Sequence, residues 1–252
     1  MTNQEKLEQL YKNKSRHSQY QILASNVQPL LGYKKPDKYK FERERWNYIL
    51  SNINLEGKKI LDIGGNTGFF TFESCNGQKP QRVDYYEGNQ EHAEFVRLAS
   101  SILGLENTIE VHPKYFLFTE QTEIWDVVFF LNVIHHIGFD FEKDVTADEV
   151  KDRMLEHINQ MAQYSKIMFF QMGFNWYGNI AKCLFENGTK QEIENYIISG
   201  TQKYWEVKKI GIAEEIDNGF IYKDMNERNN VRVDSYGEFL NRPLFIMKSR
   251  IV

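Results

Sequence analysis

The segment "KILDIGGNTGFFTF", residues 59–72, places an acidic residue, three glycines and an asparagine between two apolar runs. An apolar run that ends at glycine and continues into helical spacing predicts a strand, a tight turn and a helix. Glycines in such a turn let a ligand approach the backbone, and the helix start offers N–H groups with no intrahelical acceptor. Asn66 can replace a glycine because asparagine tolerates a left-handed conformation. The predicted ligand-binding residues are Asp62, Gly64, Gly65, Asn66 and Gly68.

The spacing of this turn excludes two phosphate-binding motifs. A dinucleotide fingerprint requires Gly-x-Gly-x-x-Gly, which the order Gly-Gly-Asn-Thr-Gly does not provide, and a Walker loop requires a following Gly-Lys-Ser/Thr. The pattern Asp62-x-Gly64-x-Asn66-x-Gly68 instead resembles the first motif of class I S-adenosylmethionine-dependent methyltransferases, which is acidic-x-Gly-x-Gly-x-Gly. The resemblance implies that the turn holds the methionine part of S-adenosyl-L-methionine and that Asp62 orients its amino group.

Two further segments extend the resemblance. Glu87 ends the apolar run "RVDYYEG", where a carboxylate can accept hydrogen bonds from both ribose hydroxyls. The segment "LNVIHHIG" is similar to the one that follows strand four in many of these enzymes. The remaining cofactor-binding residues implied by the resemblance are Gly88, Asn89 and Asn132. The loop "HPKYFLF" lacks the acidic residue that often contacts adenine, so Tyr115 and Phe116 either stack on the adenine or fill the core.

The elements that must position these residues alternate between strand and helix. Apolar runs end at "LDIG", "DYYEG", "IEVH", "VVFFL" and "IMFFQ", and most are separated by helical stripes such as Val150, Met154 and Ile158. Alternating segments after Trp205 require at least one antiparallel strand. We therefore predict an α/β fold with a Rossmann-like, doubly wound, seven-stranded, mostly parallel sheet, one antiparallel strand near the C-terminus, and an N-terminal helical cap. The predicted domains are the cap, residues 1–56, and a methyltransferase domain, residues 57–252.

Two adjacent histidines, His135 and His136, follow the fourth strand and are the candidate catalytic residues. A histidine there could remove the proton of a hydroxyl acceptor. Adjacent residues on a helix point in different directions, so at most one of the two can face the acceptor. The alternative is a helix start in which one histidine satisfies a backbone group and the other faces water. Only Asp140 lies at helical spacing from His136, and we predict no metal site.

Two segments supply candidate acceptor contacts. In "KKPDKYKFERERW" a tyrosine and two arginines could close over the cleft, although most such runs form a solvated helix face. In "QMGFNWYGN" polar and aromatic residues follow strand five at the edge where ligands bind in open α/β sheets. The predicted substrate-binding residues are Tyr39, Arg43, Arg45, Gln171, Asn175, Trp176 and Tyr177.

The composition narrows the class of acceptor. The net charge of −4 does not favour nucleic acid, and the sequence has neither a signal peptide nor an apolar run long enough for a membrane span. Two distant cysteines suit a reducing cytoplasm. We predict a cytoplasmic enzyme that O-methylates a small molecule or a glycan unit. The whole chain resembles methyltransferases of bacterial capsule and surface-glycan pathways, including those that methylate a phosphoramidate group. The alternatives are a tRNA- or RNA-modifying methyltransferase, because "NVIHHI" is similar to segments of tRNA-directed relatives, and a non-catalytic protein that binds S-adenosylmethionine.

Overall fold

The computed structural model describes residues 2–12, 21–32, 40–119 and 121–252. The helices within these residues are α1 (Asn3–Lys12), α2 (Glu42–Asn52), α3 (Phe69–Cys75), α4 (Gln90–Ile102), α5 (Val150–Gln160), α6 (Lys190–Thr201) and α7 (Gly237–Asn241). The strands are β1 (Lys59–Ile63), β2 (Arg82–Tyr86), β3 (Ile109–His112), β4 (Trp125–Leu131), β5 (Ser165–Gln171), β6 (Trp205–Ile216), β7 (Gly219–Asp224) and β8 (Leu244–Ser249).

All of these strands join one sheet in the order β3-β2-β1-β4-β5-β8-β6-β7. The first five are mutually parallel, and β8 runs antiparallel between β5 and β6. This arrangement confirms the predicted α/β, Rossmann-like class. The sheet has one strand more than the seven predicted, because β6 and β7 form an edge hairpin closed by a two-residue turn at Asp217 and Asn218. Both β7 and β8 therefore run against the parallel strands.

The parallel register brings the ends of three strands to one edge of the sheet. Ile63 at the end of β1 pairs with Tyr86 at the end of β2, and Asp62 pairs with Phe129 of β4. Residues that follow these strands must therefore meet above the same edge, where open α/β sheets bind their ligands.

Two hydrophobic clusters cover the two faces of the sheet. Along β4, Val128 and Phe130 belong to one cluster while Val127 and Phe129 belong to the other, as expected for side chains that alternate along a strand. Helices α5 and α6 pack on the first face, and α1 to α4 pack on the second. The apolar runs of β4 and β5 are thus buried on both sides, as predicted.

Buried residues of the N-terminal segment belong to the hydrophobic cluster on the second face of the sheet. Leu7 of α1 is fully buried, and the rings of Tyr11 and Phe95 lie 5.9 Å apart where α1 crosses α4. Trp46 of α2 packs edge-on against Phe129 of β4. The division at residue 56 stays a prediction. Among the described residues, no helix has the length and apolar content needed to span a membrane.

Candidate functional site

A cleft of about 1100 Å³, part of which is open solvent, lies above the ends of β1, β2 and β4. The cleft has two sides. The donor side, as we call it, consists of the turn after β1 and the end of β2. The acceptor side consists of α2, α7 and the segment after β4.

The turn after β1 adopts the conformation that its sequence predicts. Gly64, Asn66 and Gly68 have φ values of 66°, 53° and 78°, all in the left-handed region, and α3 begins directly after them. Of these three residues, only Asn66 has a side chain. Its Oδ1 accepts a hydrogen bond from the N–H of Thr67 at 2.9 Å, and this local bond stabilises the left-handed backbone. The predicted left-handed conformation of Asn66 is confirmed, and its role in cofactor binding stays a prediction.

The turn differs from the prediction in the use of its N–H groups. Gly64 and Gly65 donate to the carbonyl of Tyr86, and Gly68 donates to the carbonyl of Gly65. The N–H groups of Asn66, Thr67 and Phe69 donate to side chains. All six N–H groups from residue 64 to residue 69 thus have acceptors within the protein. The expectation of N–H groups waiting for a ligand carboxylate was wrong.

Close packing explains why glycine occupies two of these positions. A Cβ atom at Gly64 would lie 2.6 Å from Cγ2 of Val133, and one at Gly65 would lie 2.5 Å from Cε2 of Tyr85. Both neighbours belong to adjacent strands or to the segments that follow them. The glycines thus allow the turn to lie flat against β2 and the end of β4, which opens the cleft above it.

Asp62 lies at the end of β1 with its side chain lining the cleft. Its carboxylate is buried and accepts a 2.7 Å hydrogen bond from the hydroxyl of Thr71. Burial raises the pKa of Asp62 to about 7, against the lowering effect of Thr71, and the charge of Glu87 raises it further. A positively charged ligand group beside Asp62 would stabilise the ionised form of this carboxyl group.

Glu87 follows β2, and its side chain contacts the turn after β1. Its Oε2 accepts from the N–H of Asn66 at 2.9 Å, and its Oε1 accepts from the N–H of Asn89 at 2.8 Å. Burial raises the pKa of Glu87, and these two backbone hydrogen bonds oppose the rise. A carboxylate can accept about four hydrogen bonds, so each oxygen keeps acceptor capacity on its ligand side.

Gly88, Asn89 and Asn132 also line the cleft, whereas Gly68 does not. Asn89 caps α4 by accepting from the N–H groups of Glu91 and His92, and the ring of Tyr115 lies directly against Gly88. Asn132 has a left-handed backbone, with φ of 62°. Its amide donates to Gln171 and its carbonyl oxygen accepts from Arg242, so its orientation is fixed by two hydrogen bonds.

On the acceptor side, a buried polar network connects α2 with β5 and α7. Gln171 is fully buried, and its Oε1 accepts from Arg45 Nη1 and from Asn132 Nδ2, both at 2.9 Å. Its Nε2 donates to the carbonyl of Arg242 at 2.8 Å. Gln171 is buried behind the described residues that line the cleft, and its role as a substrate contact stays a prediction. It holds Arg45 and Asn132, which do line the cleft.

The two predicted arginines of α2 have different surroundings. Arg45 lines the cleft, and its Nη2 lies 3.5 Å from Glu42 and donates to the carbonyl of Lys40 at 3.0 Å. Arg43 lies outside the cleft and forms a two-pronged ion pair with Glu73 of α3, with contacts of 2.8 and 2.5 Å. Arg43 thus joins α2 to α3, and its contact with the acceptor stays a prediction. Tyr39 lies outside the described residues.

The segment after β5 contacts the site indirectly. Trp176 is buried and donates from Nε1 to the carbonyl of Ile137 at 2.6 Å. The ring of Tyr177 lies 5.1 Å from that of Phe139. Neither residue lines the cleft, nor does Asn175. Trp176 and Tyr177 pack against the segment that carries the histidines, while the side chain of Asn175 hydrogen-bonds Glu238. That these three residues contact the substrate stays a prediction.

The structure separates the two candidate histidines. His135 is buried, and its Nδ1 accepts from the N–H of Gly173 at 3.2 Å, away from the cleft. His136 lines the cleft, and its Nδ1 lies 3.1 Å from Oδ2 of Asp140. The expectation that at most one histidine can face the acceptor is met. Only His136 remains a candidate for proton transfer, since His135 satisfies a backbone group.

Several cleft residues gave no usable signal in the sequence. Helix spacing alone does not reveal that Glu42, at the start of α2, is buried in the cleft. Phe239 lies on α7, which is only five residues long, and Gln21 reaches the start of α3 from the N-terminal segment. His92 lies on the cleft side of α4 near Asn66. Of these residues, only His92 could have been predicted from the sequence, because it follows the capping residue Asn89 by about one helical turn.

A separate cluster on β2 and β3 brings together three possible metal ligands, Asp84, Glu110 and His112, with ligand atoms within 4.8 Å of one another. Asp84 Oδ2 accepts from Trp125 Nε1 at 2.6 Å and from Arg82 Nε at 3.0 Å. The guanidinium group already balances the charge of the one buried carboxylate, so the cluster is explained as an ion-pair network.

No protein-family model and no curated protein matches the sequence. Solved structures share its fold at low identity. WbdD is 12% identical with a TM-score of 0.55, and the alignment covers 96% of this chain and 47% of that chain. EvdMO1 is 11% identical with a TM-score of 0.52, covering 98% and 46%. This chain therefore spans about half the length of either protein.

A candidate rRNA methylase from Clostridium thermocellum matches over most of its own length. It is 11% identical with a TM-score of 0.50, and the alignment covers 85% of this chain and 97% of that chain. Likeness at this level of identity shows a shared fold. The function has to be argued from the cleft.

Proposed function

We propose that this chain is a cytoplasmic S-adenosyl-L-methionine-dependent methyltransferase that O-methylates a small molecule or a glycan unit. The observation that supports it most is the pair of carboxylates, Asp62 and Glu87, which line one cleft on either side of the turn at Asn66. S-adenosylmethionine has an ammonium group at one end and a ribose diol near the middle, and both groups donate to carboxylates. The motif resemblance assigns the same two residues to the same two groups.

The donor side supplies each of the required contacts. Asp62 would accept from the ammonium group, whose positive charge favours the ionised form of this buried carboxyl. Glu87 would accept from the ribose hydroxyls with the acceptor capacity that its two backbone hydrogen bonds leave. Since the N–H groups of the turn have internal acceptors, we assign the ligand carboxylate to the amide of Gln21, whose Oε1 accepts from Phe69 N–H at 3.4 Å.

The acceptor side favours an uncharged hydroxyl. Among the described residues, the acidic side chains that line the cleft are Glu42, Asp62, Glu87 and Asp140, and the basic ones are Arg45 and Lys114. An anionic acceptor, such as a phosphoramidate oxygen, would need a cation close by. All three side-chain nitrogens of Arg45 already donate within the protein, and Arg43 is paired with Glu73. The excess of acidic over basic side chains among these described residues also does not favour an RNA backbone.

Methyl transfer is an in-line displacement at carbon, so positioning carries most of the rate. Aligned reactants recover roughly 7–11 kcal/mol of the barrier, and a positioned base adds about 10²- to 10⁴-fold. His136 is the side chain placed to take the proton of a hydroxyl acceptor. The resemblance of the whole chain to capsule and surface-glycan methyltransferases supports a sugar hydroxyl as that acceptor.

Calorimetry with S-adenosylhomocysteine tests the proposal directly. We expect saturable binding to the purified chain with one site, and a co-crystal whose sulfur lies between Asp62 and His136. Absence of binding would refute the methyltransferase assignment. Binding without turnover on any hydroxyl acceptor would support a non-catalytic cofactor-binding protein, and RNA binding that weakens steeply with salt would support an RNA substrate.

A further inference from the structure

At the rim of the cleft, the segment after β4 presents an exposed aromatic ring. Among the described residues, the most exposed aromatic residues are Phe139, at 49%, and Tyr115, at 46%. Tyr115 lies against Gly88 on the donor side, so Phe139 is the one beside the acceptor side. The next two residues, Asp140 and Phe141, line the cleft, and consecutive Cα atoms are only about 3.8 Å apart. Phe139 therefore lies directly outside the space in which the acceptor would bind.

A second loop, residues 174–184, supports the ring of Phe139. The rings of Phe139 and Tyr177 are 5.1 Å apart, with an interplanar angle of 48°. The loop turns back on itself, since the N–H of Trp176 donates to the carbonyl of Lys182 at 2.8 Å. The indole Nε1 of Trp176 also donates to the segment after β4. The exposed ring thus has a neighbouring ring whose own loop is anchored to the same segment.

The backbone of Tyr177 is strained. Its φ of 56° and ψ of 14° lie in the left-handed region, which a bulky residue rarely adopts. Such a conformation costs on the order of 1–3 kcal/mol and persists where the surrounding contacts fix it. Here the N–H of Gly178 donates to the carbonyl of Asn175 at 3.2 Å, and Lys182 Nζ lies 4.8 Å from the centre of the Tyr177 ring. Strain of this kind is concentrated at ligand-binding sites, and here it places the Tyr177 ring beside Phe139.

The chain that continues from Phe139 is mostly acidic. Residues 140–149 contain five acidic side chains and one basic side chain. Asp140 lines the cleft, and Asp144 and Asp148 are exposed. Carboxylates accept hydrogen bonds from hydroxyl groups and repel phosphate groups. The surroundings of Phe139 therefore suit an uncharged ligand that is rich in hydroxyl groups.

A sugar has the chemistry that these groups match. One face of a pyranose ring carries C–H groups with a partial positive charge, and the face of an aromatic ring carries a partial negative charge. The hydroxyl groups around the sugar can donate to carboxylates. We infer that Phe139, supported by Tyr177, forms an outer subsite on which one unit of a neutral oligosaccharide stacks, while the neighbouring unit enters the cleft. The place of that neighbouring unit rests on the function proposed above, whereas sugar binding at Phe139 does not.

An RNA base could in principle stack on the same ring, because every base has an aromatic face. Proteins that bind single-stranded RNA combine such rings with a positively charged groove that follows the phosphates. Lys182 is the only charged residue in the loop 174–184, and it lies over the rings of Trp176 and Tyr177. The acidic residues of 140–149 outnumber it. The charges on both segments therefore favour a sugar over RNA.

Oligosaccharide binding to the full chain tests the inference. The probes are neutral bacterial surface oligosaccharides of two or more units, screened on an array and then titrated in solution. We expect the parent to bind at least one of them and Phe139→Ala to bind it about tenfold more weakly, because a stacking contact is lost. Phe139→Tyr keeps the ring and should bind as the parent does. Phe139→Leu keeps an apolar side chain without a ring and should bind as weakly as Phe139→Ala.

Ile216→Ala is the matched control, since Ile216 is 44% exposed in the hairpin of β6 and β7 and should not affect sugar binding. Absence of binding by the parent to any of these saccharides would overturn the inference, as would equal binding by the parent and Phe139→Ala. Equal binding by the parent and Phe139→Leu would also overturn it, because stacking would not be required. Binding of a single-stranded RNA oligonucleotide that depends on Phe139 and weakens steeply with salt would overturn the assignment to a sugar.

Calorimetry with S-adenosylhomocysteine separates this inference from the proposed function. Phe139 lies outside the residues that line the cleft, so its variants should bind S-adenosylhomocysteine as the parent does, which also shows that they are folded. A parent that binds the saccharide but not S-adenosylhomocysteine would refute the methyltransferase proposal and leave the outer subsite standing. A parent that methylates an oligosaccharide with a KM that Phe139→Ala leaves unchanged would refute the outer subsite alone.

Discussion

The N–H of Asn66 donates to Oε2 of Glu87 over 2.9 Å, across 21 positions of the sequence. This bond ties the left-handed turn after β1 to the residue that ends β2. The position of the Glu87 carboxylate therefore depends on the conformation of the turn after β1. The hydrogen bond holds the two segments of the donor side together.

Glu87→Gln is expected to weaken S-adenosylhomocysteine binding by about tenfold or more. The neutral amide has one acceptor oxygen instead of two, and it cannot serve two backbone N–H groups and two ribose hydroxyls together. Calorimetry with 5′-methylthioadenosine, which has the ribose but no amino-acid tail, should show a similar loss. Glu106→Gln, at an exposed position near β3, is the matched control and should bind both ligands as the parent does.

Binding of S-adenosylhomocysteine should strengthen by about tenfold between pH 6 and pH 8, because the pKa of Asp62 is raised to about 7 and the ligand ammonium pairs with the ionised form. Below pH 7, binding must release a proton, which calorimetry in buffers of different ionisation enthalpy measures. Asp62→Asn should remove this dependence. The binding of 5′-methylthioadenosine, which lacks the ammonium group, should vary little with pH, and an equal response of both ligands would contradict the assignment.

In the ligand-free protein the same pKa shift acts on stability with the opposite sign. Folding favours the neutral form of Asp62, so its contribution to the free energy of unfolding is full at pH below the ordinary carboxyl value and is lost as the pH rises through about 7. Urea titrations of the parent and of Asp62→Asn should therefore agree at low pH, diverge as the pH rises from the ordinary carboxyl value to about 7, and differ by a constant amount above pH 7, where the parent is the less stable.

His136→Ala should lower turnover on a hydroxyl acceptor at least tenfold and change S-adenosylhomocysteine affinity by less than about twofold, because a positioned base contributes about 10²- to 10⁴-fold. His135→Ala should instead lower the free energy of unfolding, since it leaves the buried N–H of Gly173 without its acceptor. Unchanged turnover in His136→Ala would remove the residue from the catalytic assignment.

Two glycine-to-alanine substitutions should lower the free energy of unfolding by different amounts. In Gly65→Ala the new methyl group would lie 2.5 Å from the fully buried ring of Tyr85, which has no space to move, so we expect a loss of about 1–3 kcal/mol in the free energy of unfolding. In Gly88→Ala the new group meets Tyr115, which is 46% exposed and can turn outward. Denaturant titration should show a smaller loss for Gly88→Ala, and equal losses would mean that Tyr115 is as constrained as Tyr85.

Gln171→Leu should destabilise the protein by about 2–3 kcal/mol, because it leaves Arg45 and Asn132 without their shared buried acceptor. Gln191→Leu, on the exposed surface of α6, is the matched control and should stay within about 0.5 kcal/mol. A loss no larger than that of the control would show that water replaces the missing hydrogen bonds.

The donor side could be predicted because its signals are local. Asn66 and the flanking glycines are close in sequence, and their left-handed backbone follows from residue type alone. The place of Glu87 follows from the strand that precedes it, since parallel strands end at one edge. The one local error concerns the N–H groups of the turn, which were expected to be free. Four of the six donate to distant acceptors on Tyr86, Glu87 and Gln21.

The acceptor side could not be predicted because its partners are distant. Arg43 and Arg45 are two residues apart on one helix, and only the positions of Glu73 and Gln171 decide which of them reaches the cleft. Strand five ends at the correct edge, yet Gln171 points into the interior and Trp176 points beneath the histidine segment. The direction of a side chain after a strand depends on tertiary packing, which spacing does not encode.

The network around Gln171 has a consequence for how the cleft is completed during synthesis. Arg45 is synthesised before Gln171, and Arg242 follows Gln171 by 71 positions. The bond between Asn66 and Glu87 needs no residue beyond Glu87. A nascent chain would thus be able to join the two segments of the donor side before Gln171 and Arg242, which shape the acceptor side, have been synthesised.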